Sequence, residues 1–540
     1  MNMTHLGRGA AAIVLPTFLF ACGGSGGGGG QTPQDPPPQF TVVDNDTTQA
    51  NGINGIVHAD DGSVYAIGVS DQADQRTVIL GYNADGSVNT DFGTDGVLSL
   101  NVRAASQGAG TVSSGDEQGF GIVEMADGDL VIVVNAADAN GDDTVDPPVA
   151  EGRSVYLFRL DVENSFAVET EFGDDGGVDG LLAGAQEVVF ATANADNDNY
   201  ETATGFFPRD AASDLVLDTS GDSERLVILG AGSAPVGADA PDQDRYVARV
   251  TAANGMADMS FNAGAAHHFT TPRGENSGDN VRRGFVEDDG SIMSAGYTNF
   301  GGSLGNHIIL IKLNEDGTQE DGFGNFIFPA DGPAGIAEPG IAVFNPFVDS
   351  AGFAEAYAAV RQPNSGNYIT TGYGAANSGV DSIPAEGPLS DYAPTEEQDV
   401  VTFRLSGGTE IDTGYGRPGA AGTQAIQSED DSVFAGDVEA DLLRPEERGR
   451  DMVVLPDDRS IHVGYFGGVP ALYVFTADGQ LDTSVDDDGL ILLPHNGTPQ
   501  ITEQFFTAEL SADNTRLAVG TRGIDDAGAR VVIVDLEPEE

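Results

Sequence analysis

The sequence predicts an all-β fold built from repeated units, and three observations lead to this prediction. The first is Val78–Leu100, which has a strand, an Asp-Gly turn, an Asx-rich bend ending in Phe-Gly and a second strand. The second is that weaker copies recur along the chain. The third is that glycine supplies 74 of 540 residues and tryptophan none, which suits short strands and turns. Units that must stack on neighbours favour a β-propeller of seven four-stranded blades, closed by an N-terminal strand.

Acidic residues dominate the charge of the chain. There are 86 Asp and Glu against 23 Lys and Arg, so the formal net charge is −63. Such a field repels nucleic acid and anionic lipid headgroups, and it concentrates cations. We therefore expect no nucleic-acid partner. A saline habitat, in which an acidic surface keeps a protein soluble, explains the same charge without a binding role.

The N-terminus predicts export and lipidation. Arg8 precedes the apolar run Ala10–Phe20, which is too short to span a bilayer. Leu19 to Cys22 then resembles a bacterial lipobox, so residues 1–22 are interpreted as a lipoprotein signal peptide with Cys22 as the lipidated residue. Cleavage at an ordinary signal peptidase site nearby is the alternative. Gly23 lacks the aspartate that often retains lipoproteins at the inner membrane, so an outer-membrane location is expected.

Residues 23–39 predict a tether, and residues 40–540 the propeller. The tether combines a flexible glycine run with a stiffer Pro36–Pro38 spacer. The predicted blades are approximately 45–101, 117–190, 211–265, 280–330, 352–440, 449–495 and 503–540 plus 40–44. Equivalent aromatic residues mark the bend in five units: Phe92, Phe172, Phe261, Phe323 and Tyr415.

Two further features belong to this architecture. Phe40–Val43 is predicted to be a single strand, and the last unit has only three strands, so we expect Phe40–Val43 to complete that unit. The alternative, an open solenoid, would leave exposed edges.

Acidic insertions rich in Gly, Pro and Asn are interpreted as surface loops: Asn135–Arg153, Phe190–Asp210, Ala231–Asp244 and Ala375–Asp399.

The repeat motif resembles the delta-60 repeat family. Asn83–Gly96 (NADGSVNTDFGTDG) matches the family motif nearly in full, and 314–317 and 478–484 carry fragments. The resemblance extends over 40–540 and is weakest in the third and seventh units. It implies propeller blades in an exported or surface protein. No catalytic residues can be carried over from it.

One loop has the pattern of a calcium site. Oxygen-bearing residues alternate at Asp138, Asn140, Asp142, Thr144 and Asp146, a spacing with which a tight loop can wrap a hard cation. The pattern resembles the start of an EF-hand or dockerin loop, but Asp143 stands where glycine is usual and Val149 where a bidentate carboxylate belongs. Calcium is therefore a candidate cofactor, and a solvated acidic turn is the alternative.

Other chemistry-bearing residues favour structural roles. Gly301–Gly305 imitates a nucleophile elbow, but a strand is predicted to follow it where a helix is required. The adjacent His267 and His268 would point to opposite faces of a strand and cannot chelate together. His58 and His462 are expected to be packing residues.

Two arginine pairs are predicted to precede first strands: Arg282 with Arg283, and Arg448 with Arg450. They could line the channel or bind an anion. Pairing with the abundant carboxylates is the favoured role.

The functional hypothesis is a membrane-tethered, surface-displayed propeller. It would act as a monomer and bind a protein or glycan ligand without catalysis. The alternative is a calcium-dependent hydrolase or lyase at the channel mouth. A deep funnel with convergent Asp, Glu, His and Arg would favour the enzyme, and a shallow, uniformly acidic face would favour binding.

Overall fold

The computed structural model describes most of the chain from residue 41 onward. The described ranges are 41–47, 50–70, 76–102, 117–137, 153–173, 181–190, 210–236, 240–269, 278–299, 305–328, 338–345, 352–375, 398–416, 423–426, 447–467, 469–486, 488–493, 503–523 and 528–536. The predicted signal peptide, the tether and the oxygen-rich loop at 138–146 lie outside them.

Within these ranges the chain forms strands and one single-turn 3-10 helix, Asn262–Gly264, so the all-β prediction is confirmed. The strands are β1 Thr41–Thr47, β2 Ala50–His58, β3 Val64–Ser70, β4 Thr77–Tyr82, β5 Val97–Leu100, β6 Gln118–Glu124, β7 Leu130–Ala137, β8 Arg153–Asp161, β9 Ala167–Val168, β10 Gln186–Val188, β11 Ala211–Asp218, β12 Arg225–Val236, β13 Ala240–Thr251, β14 His267–Phe269, β15 Asp279–Val286, β16 Ile292–Asn299, β17 Asn306–Leu313, β18 Gly324–Phe328, β19 Ile341–Phe344, β20 Phe353–Arg361, β21 Tyr368–Ala375, β22 Asp399–Ser406, β23 Glu410–Ile411, β24 Thr423–Ile426, β25 Arg448–Val454, β26 Ser460–Phe466, β27 Val469–Phe475, β28 Leu490–Leu492, β29 Glu503–Leu510, β30 Arg516–Gly523 and β31 Ala529–Asp535. No helix in the described part of the chain has the length and apolarity needed to cross a membrane.

Apart from β18 and β19, which pair in parallel, the described strands form antiparallel units whose order in each sheet largely follows the chain. The units begin at β2, β6, β11, β15, β20, β25 and β29, and we number them blades 1 to 7. Each first strand contacts the first strand of the next blade, and β29 contacts β2, so these contacts run in a cycle. The first strands therefore surround a central channel.

The hydrophobic core consists of layers between adjacent blades. One cluster joins blades 1 and 2, another joins blades 3 and 4, and a third joins blades 7 and 1. A blade is apolar on both faces, as is expected of a unit that stacks on two neighbours. The burial of strand β26, in which every residue is enclosed, shows this pattern.

The Asp-Gly hairpins in the sequence are three-residue turns. At the first one, the Ala59 amide donates to the Ser63 carbonyl oxygen at 2.8 Å. Gly62 takes a φ of 85°, a conformation that glycine adopts at low cost. Asp61 accepts a hydrogen bond from the Ser63 amide at 2.8 Å. In equivalent turns the hydroxyl group also donates to the aspartate, as Ser87 Oγ does to Asp85 Oδ1 at 2.6 Å, which explains why serine or threonine often follows Asp-Gly in the repeats.

The aromatic residue of each bend packs between blades. All five predicted bend aromatics are at most 3 % exposed. Tyr415 of blade 5 lies against Gly479 of blade 6, where an added Cβ would approach the ring to 2.4 Å and where φ is +81°. The same aromatic-to-glycine contact occurs at Phe172 with Gly255, Phe261 with Gly317 and Phe323 with Gly408. The glycine of the repeated turn thus leaves room for the bend aromatic residue of the preceding blade.

Three predicted boundaries are corrected. Ala231–Asp244 is not a loop, because β12 continues to Val236 and β13 starts at Ala240, so that the two strands pair almost to the hairpin tip. The fourth strands of blades 3 and 4 are β14 and β19, beyond the predicted ends at 265 and 330. In all three cases backbone pairing decides where the strand lies, and the composition of the segment does not reveal it.

The N-terminal strand pairs as predicted. β1 lies antiparallel to β31, with Val42 opposite Val534 and Thr47 opposite Ala529. It extends to residue 47 and is the fourth strand of blade 7.

Deleting residues 39–44 is expected to lower the thermal unfolding midpoint and to promote aggregation, because the edge of β31 would be left unpaired. Deleting six residues of the tether, 25–30, is the control and should leave the midpoint unchanged. A deletion of 39–44 that melts like the parent would argue for an open array.

Candidate binding site in the central channel

A cavity of about 560 Å³ occupies the channel. The later halves of all seven first strands line it, and its charged residues include Asp214, Arg283, Asp451 and Glu509. His58 lies in the same lining. Asp60 and Glu124 line it as well, so the cavity is mostly acidic but not uniformly so, because Arg283 lies among the carboxylates.

Arg283 contacts four other blades across the channel. Its Nη2 donates to the carbonyl oxygen of Asn54 at 2.9 Å and to that of Phe506 at 3.2 Å. Its Nη1 lies 3.4 Å from Asp214 Oδ1, and its Nε lies 3.4 Å from Asp451 Oδ2. One guanidinium therefore connects blade 4 to blades 1, 3, 6 and 7.

Asp214 and Asp451 have matching structural roles. Asp214 Oδ2 accepts from the Gly284 amide at 3.0 Å, and Asp451 Oδ2 accepts from the Ala508 amide at 2.9 Å. Each carboxylate thus binds the first strand of the next blade. Burial raises the pKa of Asp214 to about 6, and Arg283 opposes that rise. These two groups hold blades together, which limits their freedom to act on a ligand.

Glu509 and His58 are the titratable groups of the cavity with the largest shifts among those described. Desolvation, with the charges of Asp451 and Asp214, raises the pKa of Glu509 to about 8. The Glu509 side chain keeps access to the channel space, so water there moderates the effect. Burial lowers the pKa of His58 to about 4, and its ring nitrogens have no hydrogen-bond partner in the described part of the chain. Burial thus favours the neutral form of His58, and the negative surroundings of Glu509 favour its protonated form, less strongly because its side chain is open to water.

Glu509→Gln is expected to become more stable relative to the parent as pH rises from 5 to 9. The folded parent keeps the Glu509 proton up to about pH 8, whereas the unfolded chain loses it near its ordinary pKa. The parent's free energy of unfolding therefore falls across that window, and glutamine does not titrate. Urea unfolding at pH 5, 7 and 9 measures the difference. Glu163→Gln, at an exposed turn, is the control; parallel pH profiles for parent and Glu509→Gln would contradict the shift.

A β-bulge in every first strand divides the channel into two parts. The bulged residues are Asn54, Phe120, Ser213, Arg282, Tyr357, Arg450 and Phe506. A glycine lies opposite several of these bulges; at Gly464 an added Cβ would approach the Arg448 carbonyl oxygen to 1.8 Å. Bulges reorient side chains, and here they bring residues of different blades together.

The part of the channel where the first strands begin holds an arginine–aromatic cluster, which consists of Arg282, Arg448, Arg450, Arg522, Tyr297, Tyr357, Tyr373, Tyr465 and Phe506. Arg450 and Arg282 lie over the same ring, with Cζ 4.4 Å and 4.8 Å from the Tyr357 centroid. Arg522 Cζ lies 3.9 Å from the Phe506 centroid. Four guanidinium groups from blades 4, 6 and 7 therefore share a set of aromatic faces.

Three of these arginines have neutral polar partners. The contacts are Arg450 Nε to Gln504 Oε1 at 3.0 Å, Arg282 Nη2 to Tyr297 Oη at 3.5 Å, and Arg522 Nη2 to Asn54 Oδ1. Among the described residues, no carboxylate lies within ion-pair distance of Arg282, Arg450 or Arg522. In a chain with 86 acidic residues this is an uncompensated concentration of positive charge.

The sequence-based predictions for the two arginine pairs were right only in part. All four residues lie inside β15 and β25 and do not precede them. Pairing with carboxylates is confirmed for Arg283. It is wrong for Arg282 and Arg450, because the bulge turns both side chains toward tyrosine rings.

His462 has the packing role expected of it, whereas His58 lies in the lining of the cavity. His462 is fully buried, its Nε2 lies 3.0 Å from Ser460 Oγ, and burial lowers its pKa to about 3. His268 Nε2 lies 2.6 Å from Asp244 Oδ2. The strand predicted to follow Gly301–Gly305 is β17.

The predicted lipidation and calcium residues cannot be placed by the structure. Cys22 and the five oxygen ligands, Asp138, Asn140, Asp142, Thr144 and Asp146, all lie outside the described ranges. Within those ranges, no group of three or more His, Cys, Asp or Glu residues is arranged to hold a metal ion.

Most carboxylates and aromatic residues of the channel were missed in the sequence, and Arg522 and Glu509 were missed as well. Arg522 occupies, in blade 7, the position that Tyr297, Tyr373 and Tyr465 occupy in blades 4 to 6. An alignment of the second strands by register would have found it. Glu509 has no signal in the sequence, because its environment comes from other blades.

Comparisons with known proteins show similarity of fold alone. No protein-family model and no curated protein matches the sequence. Among solved structures, a protein of unknown function from Dyadobacter fermentans is 9 % identical, with a TM-score of 0.37 over 92 % of this chain and 99 % of that one. A gluconolactonase from Xanthomonas campestris is 12 % identical, with a TM-score of 0.31 over 93 % and 96 %. An α-L-arabinanase from Penicillium chrysogenum is 12 % identical, with a TM-score of 0.36 over 77 % and 92 %. At these scores the likeness says nothing about activity.

Proposed function

We propose that this protein is a non-catalytic binding or scaffold propeller, of the delta-60 repeat type, displayed at a bacterial cell envelope. Its ligand is bound in the central channel. The observation that carries the proposal is that the two best-placed carboxylates of the cavity, Asp214 and Asp451, are held by backbone amides and by Arg283. Side chains fixed in this way provide a rigid, preorganised pocket.

The proposed location depends on a lipid at Cys22. Cys22→Ala is expected to abolish acylation and to move the protein from the membrane fraction to the soluble fraction. The measurement is the intact mass of membrane-extracted protein, together with fractionation of both variants. A parent protein without lipid mass on Cys22 would contradict the assignment. Exchanging a tether residue, Ser25→Ala, is the control and should leave acylation intact.

Binding without turnover can be tested with a panel of neutral and acidic oligosaccharides and peptides. Calorimetry measures binding by the full chain in detergent, and mass spectrometry of each ligand after incubation detects conversion. Binding with unaltered ligand supports the proposal. Conversion of a ligand would favour an enzyme instead.

A second candidate function is a calcium-dependent hydrolase or lyase. The observation in its favour is the raised pKa of Glu509, about 8, beside two carboxylates, because a protonated carboxyl group near neutral pH can act as a general acid. If the chain converts a ligand, Glu509→Gln should abolish conversion while calcium and ligand still bind.

A further inference from the structure

We propose that the arginine–aromatic cluster is a binding site for an oxyanion group, a carboxylate, sulfate or phosphate, of a ligand that enters the channel where the first strands begin. This inference rests on the proposed function, because it names the ligand chemistry of the same channel.

The charge of the site is the first reason. Arg282, Arg450 and Arg522 have no ion-pair partner among the described residues; the carboxylate of Glu355, whose charge acts on Arg282, is already engaged by the Tyr373 hydroxyl at 2.9 Å and by Asn306 Nδ2 at 2.6 Å. The site is therefore positive in a protein of charge −63. A positive pocket in a negative surface attracts anions only locally, which favours a small anionic group over an extended polyanion.

The unused donors are the second reason. Each guanidinium carries five N–H donors, and an enclosed donor without an acceptor costs free energy. Arg282 Nε is enclosed and has no hydrogen-bond partner in the described residues. The ring contacts of Arg450 and Arg522 use the guanidinium faces, so donors at the edges remain for an oxyanion.

Mutual repulsion is the third reason. Desolvation, together with the positive charges of Arg450, Arg283 and Arg282, lowers the pKa of Arg522 to about 10. An oxyanion between these groups would offset the repulsion and raise that pKa again. Because the fold already positions the cluster through bulges, binding requires no rearrangement of the strands.

The test is calorimetry on the full chain in detergent, at pH 7 and at an ionic strength held constant with sodium chloride. The probes are sodium sulfate, sodium phosphate and trigalacturonate. We expect at least one probe to bind the parent, and Arg450→Met to weaken that binding by about tenfold or more, since a charge-assisted hydrogen bond is lost. Arg459→Met, which removes an arginine paired with Asp457 outside the channel, is the control and should bind like the parent.

A second variant guards against misfolding of Arg450→Met. Arg522→Met keeps the apolar contact with Phe506 and relieves repulsion, so it should fold and still lose about tenfold in affinity. Binding of sulfate or phosphate identifies a free oxyanion, and binding of trigalacturonate alone identifies a carboxylate on a sugar. The inference is overturned if no probe binds, or if both channel variants bind as well as Arg459→Met. If a neutral ligand of the panel binds while all three anions fail, the proposed function stands and this inference falls.

Discussion

Phe261→Ala is expected to lower the free energy of unfolding by about 3–5 kcal/mol, as truncation of a buried aromatic residue leaves a cavity. Phe261 is fully buried between blades 3 and 4. The Arg249 guanidinium lies over its ring, with Cζ 5.0 Å from the centroid, and Gly317 of the next blade lies against it. Urea unfolding of the parent and the variant measures the loss.

Met259→Ala is the matched control, because Met259 lies two residues away and is 72 % exposed. It should change the free energy of unfolding by no more than about 0.5 kcal/mol. A Phe261→Ala protein as stable as Met259→Ala would mean that the bend aromatic does not join the blades. In that case the repeat motif would need another explanation.

Arg283→Met is expected to lower the free energy of unfolding by about 3–5 kcal/mol at pH 8, because it leaves Asp214 and Asp451 without their cation. The difference in unfolding free energy between the parent and Arg283→Met should become smaller toward pH 4. Without Arg283 the pKa of Asp214 rises further above its present value of about 6. A carboxyl group whose folded pKa exceeds its unfolded pKa costs stability as pH rises between the two values, and costs nothing below both.

Part of the deficit should remain at pH 4, since the hydrogen bonds to the Asn54 and Phe506 carbonyl oxygens are lost at every pH. Arg516→Met is the control, because its ion pair with Asp535 is partly exposed, and it should cost about 0–1 kcal/mol. A deficit for Arg283→Met that is the same at pH 4 and pH 8 would show that the carboxylates do not depend on the guanidinium.

The sequence predicts the blades well because their signals are local. An Asp-Gly turn between two β-rich runs indicates a hairpin, and the recurrence of Phe92, Phe172 and Phe261 after such turns marks equivalent bends. The pairing of the N-terminal strand with the last blade also follows, since an orphan strand and a three-stranded unit complete one another.

The channel is harder to predict because its contacts join residues far apart in the chain. Arg283 binds the carbonyl oxygen of Asn54, which is 229 positions away. The arginine–aromatic cluster depends on a bulge in each first strand, and a bulge changes the direction of a side chain without a strong pattern in sequence. Arg282 and Arg450 could be expected in the channel because they belong to first strands. Their contacts with tyrosine rings could not be expected, because these contacts depend on the bulges.

The seven bulges separate the backbone pairs that hold each blade together from the side chains at the bulged positions of the channel. A bulged residue is omitted from the paired register of its strand, so its side chain can be exchanged while the backbone ladder stays intact. The side chains at these positions range here from serine to arginine, tyrosine and phenylalanine. Related chains could thus acquire a new ligand preference through a few point substitutions, in the way that hypervariable positions diversify a constant framework.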